Sequence, residues 1–178
     1  MQDEESLVRR AKERDEAALT QLYEENFDKI YRYIVLKIGD RTEAEDMTQQ
    51  VFLKAFKSIF GYKFKGSPFS SWLFRIAHNQ VVDYWRKKSK RATVPLDETF
   101  VGSSNSNPSS ETERKMDIEN LVAATKQLTS LQREVVSLRF AGGLSVAQVA
   151  GSMGKSEGAI KALQHSAVVS LRKMLATG

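Results

Sequence analysis

Three clusters of side chains in this sequence have the types and spacing to hold a nucleic acid, and a fourth suits a protein-docking face. Arg75, Asn79 and Arg86 share one face of a helical stretch, with Val82 between them and Lys87 beside its end. Guanidinium groups hold phosphates, and an amide makes paired hydrogen bonds to a base edge. Cations at a helix end also complement the macrodipole, so a solvated terminus is the plainer account of the last few. The loop Gly61-Tyr62-Lys63-Phe64-Lys65-Gly66-Ser67-Pro68 alternates aromatic and basic residues. That composition suits stacking on unpaired bases while cations follow the backbone, although a loop with Phe64 tucked into the core would read the same. Towards the C-terminus, Ser156, Glu157, Gly158, Lys161, Ala162 and His165 face outward near the start of a helix whose inner stripe is Ile160, Leu163, Ala167, Leu171 and Met174. The fourth cluster, Asp46, Gln49, Gln50 and Lys54 beside Phe52, lies in a helix that opens on four acids, Asp40 to Asp46. Acids stabilise a helix N-terminus in any case, so capping and docking both remain open.

Catalysis is poorly supplied. There is no cysteine, and the two histidines, His78 and His165, lie in different parts of the chain. A nuclease or recombinase needs clustered acids for metal or a positioned nucleophile, and the acids here are better explained by capping and docking. We expect no catalytic residue, no cofactor, no metal and no enzymatic activity. A net charge of +5 and a pI near 9.4 favour an anionic partner. No apolar run approaches the roughly 18 residues that cross a bilayer, and Met1-Gln2-Asp3-Glu4-Glu5 is unlike a secretory signal. The expectation is a cytoplasmic protein without membrane insertion.

These side chains need elements to position them, and the spacing supplies helices alone. Apolar residues recur at helical intervals before residue 92 and after 115, and no stretch alternates with period two for long. The chain reads as all-α, with two small helical domains, 1–91 and 116–178, joined by a flexible linker at 92–115. The linker holds two of the three prolines and five serines. As a random coil it would span about 27 Å, and fully extended roughly 80 Å, so two modules could stand apart. In the first module Asp15 caps one helix, and a stretch with Phe27, Ile30, Tyr31, Ile34 and Ile38 stops at Gly39. Thr42-Glu43-Ala44-Glu45 reads as a capping box for the next helix, and the last runs over about 69–88. In the second, helices are expected over roughly 116–127 and 131–140. Ser145-Val146-Ala147-Gln148 then opens a short helix, Met153-Gly154-Lys155 turns, and Ser156 caps a helix to about Leu175. Two helices about a tight turn with a central glycine match a helix-turn-helix, whose second helix enters the major groove; an αα-hairpin without ligand is the alternative.

Asp46-Met47-Thr48-Gln49-Gln50-Val51-Phe52-Leu53-Lys54-Ala55-Phe56 resembles the polymerase-binding segment of extracytoplasmic-function sigma factors. Residues 69–84, from Phe69-Ser70-Ser71-Trp72 to Val82-Asp83-Tyr84, look like that family's -10 recognition helix, and Leu128 to Phe140 with Gly143-Leu144-Ser145 and Ser156 to Lys161 is similar to its -35 domain. The resemblance implies a two-domain helical factor that binds core RNA polymerase and promoter DNA, is silenced by an anti-sigma factor, and is a monomer when free. It implies that Asp46, Gln49, Gln50, Phe52 and Lys54 face the clamp helices of the largest polymerase subunit. By the same resemblance, Tyr62, Lys63, Phe64, Lys65, Ser67, Arg75, Asn79, Arg86 and Lys87 meet the -10 element, and Ser156, Glu157, Gly158, Lys161, Ala162 and His165 the -35 element. Gln50 stands where an acid is more usual, and Ser166 replaces a frequent arginine. A free-standing helix-turn-helix regulator is the rival within the binding class; it would bind its site tightly without polymerase.

Overall fold

The computed structural model describes residues 3–63, 68–91 and 119–176, and their regular elements are all helical. The linker expected at 92–115 lies outside the described residues. Helix α1 (Glu4–Lys12) meets α2 (Glu16–Ile38) at a tight corner where Arg14 takes a left-handed φ of 62°. Asp15 organises that corner: its carboxylate accepts from the backbone N–H of Ala17 at 3.0 Å and pairs with Arg10 at 2.7 Å. The two stretches read separately around Asp15 and Phe27 are one continuous helix. It ends at Gly39, whose φ of 77° suits a residue without Cβ.

Helix α3 (Arg41–Ser58) begins two residues earlier than its sequence pattern suggests. Asp40, not Thr42, is the cap, and its side chain accepts from Glu43 N–H at 3.1 Å. A single 3-10 turn over Ile59–Gly61 follows. Helix α4 (Phe69–Arg91) is anchored at its start by α1, since Glu4 Oε1 accepts from the Phe69 backbone N–H at 2.9 Å. Helices α2, α3 and α4 thus enclose one core of Leu22, Ile30, Ile34, Val51, Phe52, Leu73 and Ala77.

In the C-terminal half, α5 covers residues 119–125. Helix α6 (Ser130–Val136) is entered through a reciprocal cap in which Thr129 and Gln132 satisfy each other's backbone N–H groups. It then widens into a π-turn over Ser137–Ala141, with Gly142 N–H bonded back to Ser137 O at 2.9 Å. Helix α7 (Val146–Met153) carries the capping box read at Ser145 and Gln148 and stops at Gly154, φ 65°. Helix α8 (Glu157–Ala176) follows, with Ser156 Oγ accepting from Ala159 N–H at 3.1 Å.

The two halves do not stand apart. Val135, Leu138, Leu144, Val149 and Ile160 belong to the same buried cluster as Tyr33, Phe74 and Leu73. Helix α2 is therefore buried on two sides: Ile30, Ile34 and Ile38 face its own module, while Tyr33 and Leu36 are covered from the other, Leu36 against Val122 and Ala141. The halves also meet at Gly142, where a Cβ would lie 2.7 Å from Phe74 Cζ and 2.8 Å from Leu138 O.

Candidate nucleic-acid interface

Helix α4 turns its apolar residues inward and leaves a polar face in solvent. Leu73, Phe74, Ala77 and Val81 are buried, whereas Arg75, Asn79, Val82, Arg86 and Lys87 are exposed. Arg86 is held along the helix by Asp83 at 3.1 Å. Lys88 lies over the rings of Tyr84 and Trp85, at 5.6 and 5.3 Å, so this end of α4 joins aromatic surface to cationic charge.

The loop before α4 departs from the sequence reading at Tyr62. Its ring is buried against Phe69 and Trp72, with centroids 5.4 and 4.9 Å away, and so supports the loop instead of offering a stacking surface. Burial, with the nearby Glu4 carboxylate, raises its hydroxyl pKa. Lys63 is exposed, while Phe64, Lys65 and Ser67 lie outside the described residues. Lys63 and Arg75 line one wall of a cleft of about 590 Å³ whose other wall is Ala147, Gln148, Gly151 and Ser152 of α7. Spacing along the chain gives no sign of this cleft, because its walls come from the two halves.

The helix-turn-helix has the geometry expected of it. Ile160 and Ala167 are buried, Leu163, Leu171 and Met174 half-buried, and Ser156, Glu157, Gly158, Lys161, Ala162 and His165 are all exposed on the opposite side of α8. Ser166 accepts a hydrogen bond from Gln132 Nε2 at 2.7 Å, which ties α8 to the capped start of α6.

On α3, Asp46, Gln49, Gln50 and Lys54 form an exposed stripe, but Phe52 is not part of it. Phe52 is 2% exposed and packs on Tyr23, Phe27 and Phe56. The apolar member of that face is Leu53, 52% exposed. A helix advances about 100° per residue, so Leu53, seven residues after Asp46, returns to its side while Phe52 is turned inward. The same period is legible in the sequence, where Leu53 shares the register of Asp46 and Phe52 that of the buried residues.

Between the halves lies a polar group that the sequence reading does not anticipate. Lys37 of α2 pairs with Glu134 of α6, and the Tyr33 hydroxyl donates to Glu134 Oε1 at 2.8 Å. His78 Nδ1 is 3.3 Å from the Tyr33 hydroxyl and 3.7 Å from that carboxylate oxygen. Burial, and secondarily the Arg133 guanidinium, brings the Lys37 ammonium down to about 8 despite the carboxylate beside it. Burial raises the Tyr33 phenol, and burial with Lys37 lowers the His78 imidazole. Among the described residues no cluster of His, Asp or Glu is arranged to hold a metal ion, and no helix is long and apolar enough to cross a membrane.

A basic helix face followed by a helix-turn-helix, on described residues whose regular elements are all helical, suits a DNA-binding class of protein, and comparison with known proteins gives the family. Residues 22–91 match the family Sigma-70 region 2, and residues 124–173 match Sigma-70, region 4. The ECF RNA polymerase sigma factor BldN of Streptomyces coelicolor is 37% identical over 170 residues, 95% of this chain and 64% of its own length. This chain thus spans under two thirds of that relative. SigL of Mycobacterium tuberculosis, another ECF RNA polymerase sigma factor, is 32% identical over 161 residues, 90% of each chain. CnrH, solved in complex with the cytosolic domain of CnrY, shares the fold at a TM-score of 0.74 and 19% identity, covering 98% of this chain and 97% of that one. The chain belongs to the extracytoplasmic-function sigma factors.

Proposed function

We propose that this protein binds core RNA polymerase and directs it to promoters through a -10 and a -35 element, without catalysing a reaction itself. The observation that carries this reading is the order of exposed surfaces along one chain: the α3 stripe, the Arg75–Asn79 face of α4, and the outer side of α8. Residues 1–91 form the module for polymerase and the -10 element, residues 116–178 the module for the -35 element, and 92–115 the linker. Asp46, Gln49, Gln50, Leu53 and Lys54 meet the polymerase clamp. Arg75, Arg86, Lys63 and Lys87 hold phosphates, and Asn79 reads a base. On α8, Lys161 and His165 reach the -35 groove, flanked by Ser156, Glu157, Gly158 and Ala162. The protein works in the cytoplasm, where polymerase and DNA are. CnrH was solved with the cytosolic domain of CnrY, and the sigma factor RpoE of Bartonella quintana with its anti-sigma factor NepR. An anti-sigma protein that covers these faces is accordingly part of the proposal.

The test is run-off transcription with purified core polymerase on genomic fragments, paired with gel shifts. Specific transcripts and promoter binding that requires polymerase are expected; tight sequence-specific binding by the isolated chain would favour a free-standing regulator. Within an active promoter, Asn79→Ala should relax selectivity at one -10 position by about 1–3 kcal/mol, while Arg75→Ala weakens binding at every sequence and lowers the salt slope by about one.

A further inference from the structure

Helix α8 can present its outer side chains to a base edge only if it is held at one rotation about its own axis, and two side-chain tethers flank the stripe on which it packs. Gln132 Nε2 of α6 donates to Ser166 Oγ at 2.7 Å. Arg139 Nε donates to Gln164 Oε1 at 3.1 Å, and its Nη1 donates to Leu144 O at 2.7 Å. The same guanidinium thus ties α8 to the residue before the Ser145 cap of α7. We propose that Gln132 and Ser166, opposed by Arg139 and Gln164, are positioning residues that fix the roll of α8 and so set base selectivity at the -35 element while touching no base themselves. The inference rests on the reading of α8 as the -35 helix.

The helical period places the two tethers. At about 100° per residue, Gln164 lies about 100° round α8 from Leu163 in one direction and Ser166 about 60° in the other. Buried Ile160 and Ala167 fall within that arc together with Leu163, whereas Lys161 and His165 fall outside it. Apolar packing is non-directional, so a stripe alone lets a helix roll in its groove. Hydrogen bonds weaken as their angle opens, and a pair of them on opposite flanks resists rolling in either sense. The precision required is fine. A roll of about 10° carries a side-chain end about 6 Å from the axis through about 1 Å, and reading groups must be held to about 0.5 Å. Long, flexible cations on phosphates follow such a shift, and their contacts carry no sequence information. The first tether also has a fixed polarity. Gln132 Oε1 accepts from the Thr129 N–H at 3.0 Å in the α6 cap, so the nitrogen end of the amide is the one turned to Ser166. The cap that starts α6 thereby aligns the helix packed beside it. Ser166 is exposed, yet its oxygen is engaged towards α6.

The experiment uses the full chain assembled with core RNA polymerase, on a promoter that it transcribes and on a set in which each -35 base pair is changed in turn. Selectivity is read as the ratio of binding to original and changed promoters, beside the salt slope of binding and the melting midpoint of the free chain. Ser166→Ala should lower the ratio at one or more -35 positions by between about twofold and tenfold, the net contribution of one hydrogen bond. Its salt slope should not change, and its midpoint should stay within about 3 °C, since alanine is the better helix former. Ser166→Thr keeps the hydroxyl and should keep the selectivity. Gln132→Ala should lower the ratio as Ser166→Ala does, and the double variant no further than either alone. An unchanged ratio in Ser166→Ala would overturn the positioning role, as would an equal loss in Ser166→Thr. So would uniform weakening at every promoter with a salt slope lower by about one, because Ser166 would then be a phosphate ligand. A wild-type holoenzyme indifferent to every -35 base pair would refute the reading of α8 itself, and the positioning role with it.

Discussion

Single side chains decide which surfaces are available, and Phe52 and Leu53 show it most clearly. Phe52→Ala should cost about 3–5 kcal/mol by opening a cavity among Tyr23, Phe27 and Phe56, seen as a lower denaturation midpoint. Leu53→Ala should leave stability within about 0.5 kcal/mol yet weaken binding to core polymerase about fivefold or more, measured by fluorescence anisotropy. Equal effects of the two changes on stability would contradict the burial pattern. Lys37 gives a pH signature. Its ammonium titrates near 8 in the folded chain against 10.5 in the unfolded one, where it holds its proton longer. Stability from this group is therefore fully present above pH 10.5 and is lost as pH falls to about 8, by at most about 1.4 kcal/mol per unit. Urea midpoints of the native protein should rise across that window relative to Lys37→Met; parallel curves would show that the group does not titrate there.

At the scale of elements, the helices were legible wherever a cap and a single apolar stripe spoke together. Asp15, Gly39, Ser145, Gly154 and Ser156 all sit at helix ends where their chemistry suggests. Two kinds of feature were not legible. The first is a helix with two buried sides, since Tyr33 and Leu36 break the single stripe of α2 for reasons that lie about a hundred residues further along the chain. The second is the π-turn, because Ser137 to Ala141 carries the same apolar spacing as a regular helix. The turn leaves Gly142 under Phe74, and that contact is testable. Gly142→Ala should drive a methyl into the Phe74 ring and the Leu138 carbonyl, costing about 1–3 kcal/mol of packing between the modules. Calorimetry of the variant should show this loss, whereas an alanine accommodated at no cost would mean the interface is looser than the structure has it.

The whole molecule combines two sequence modules in one packed body, which spacing along the chain cannot reveal because its contacts join residues so far apart. The sequence argued for helices that could stand apart; the shared core argues that the free protein melts as a unit. Differential scanning calorimetry of the wild type should therefore show one transition. Glu134→Gln should show two, with the smaller C-terminal half melting first because about 60 residues bury little surface of their own. A single unshifted transition in that variant would count against interdomain coupling. The shared core also bears on how long the factor survives in a cell. Separation of the halves would uncover Leu138, Val149 and Phe74 and present that apolar surface to proteases. The contact between the halves would then set the half-life of each molecule, and weakening it would shorten that half-life.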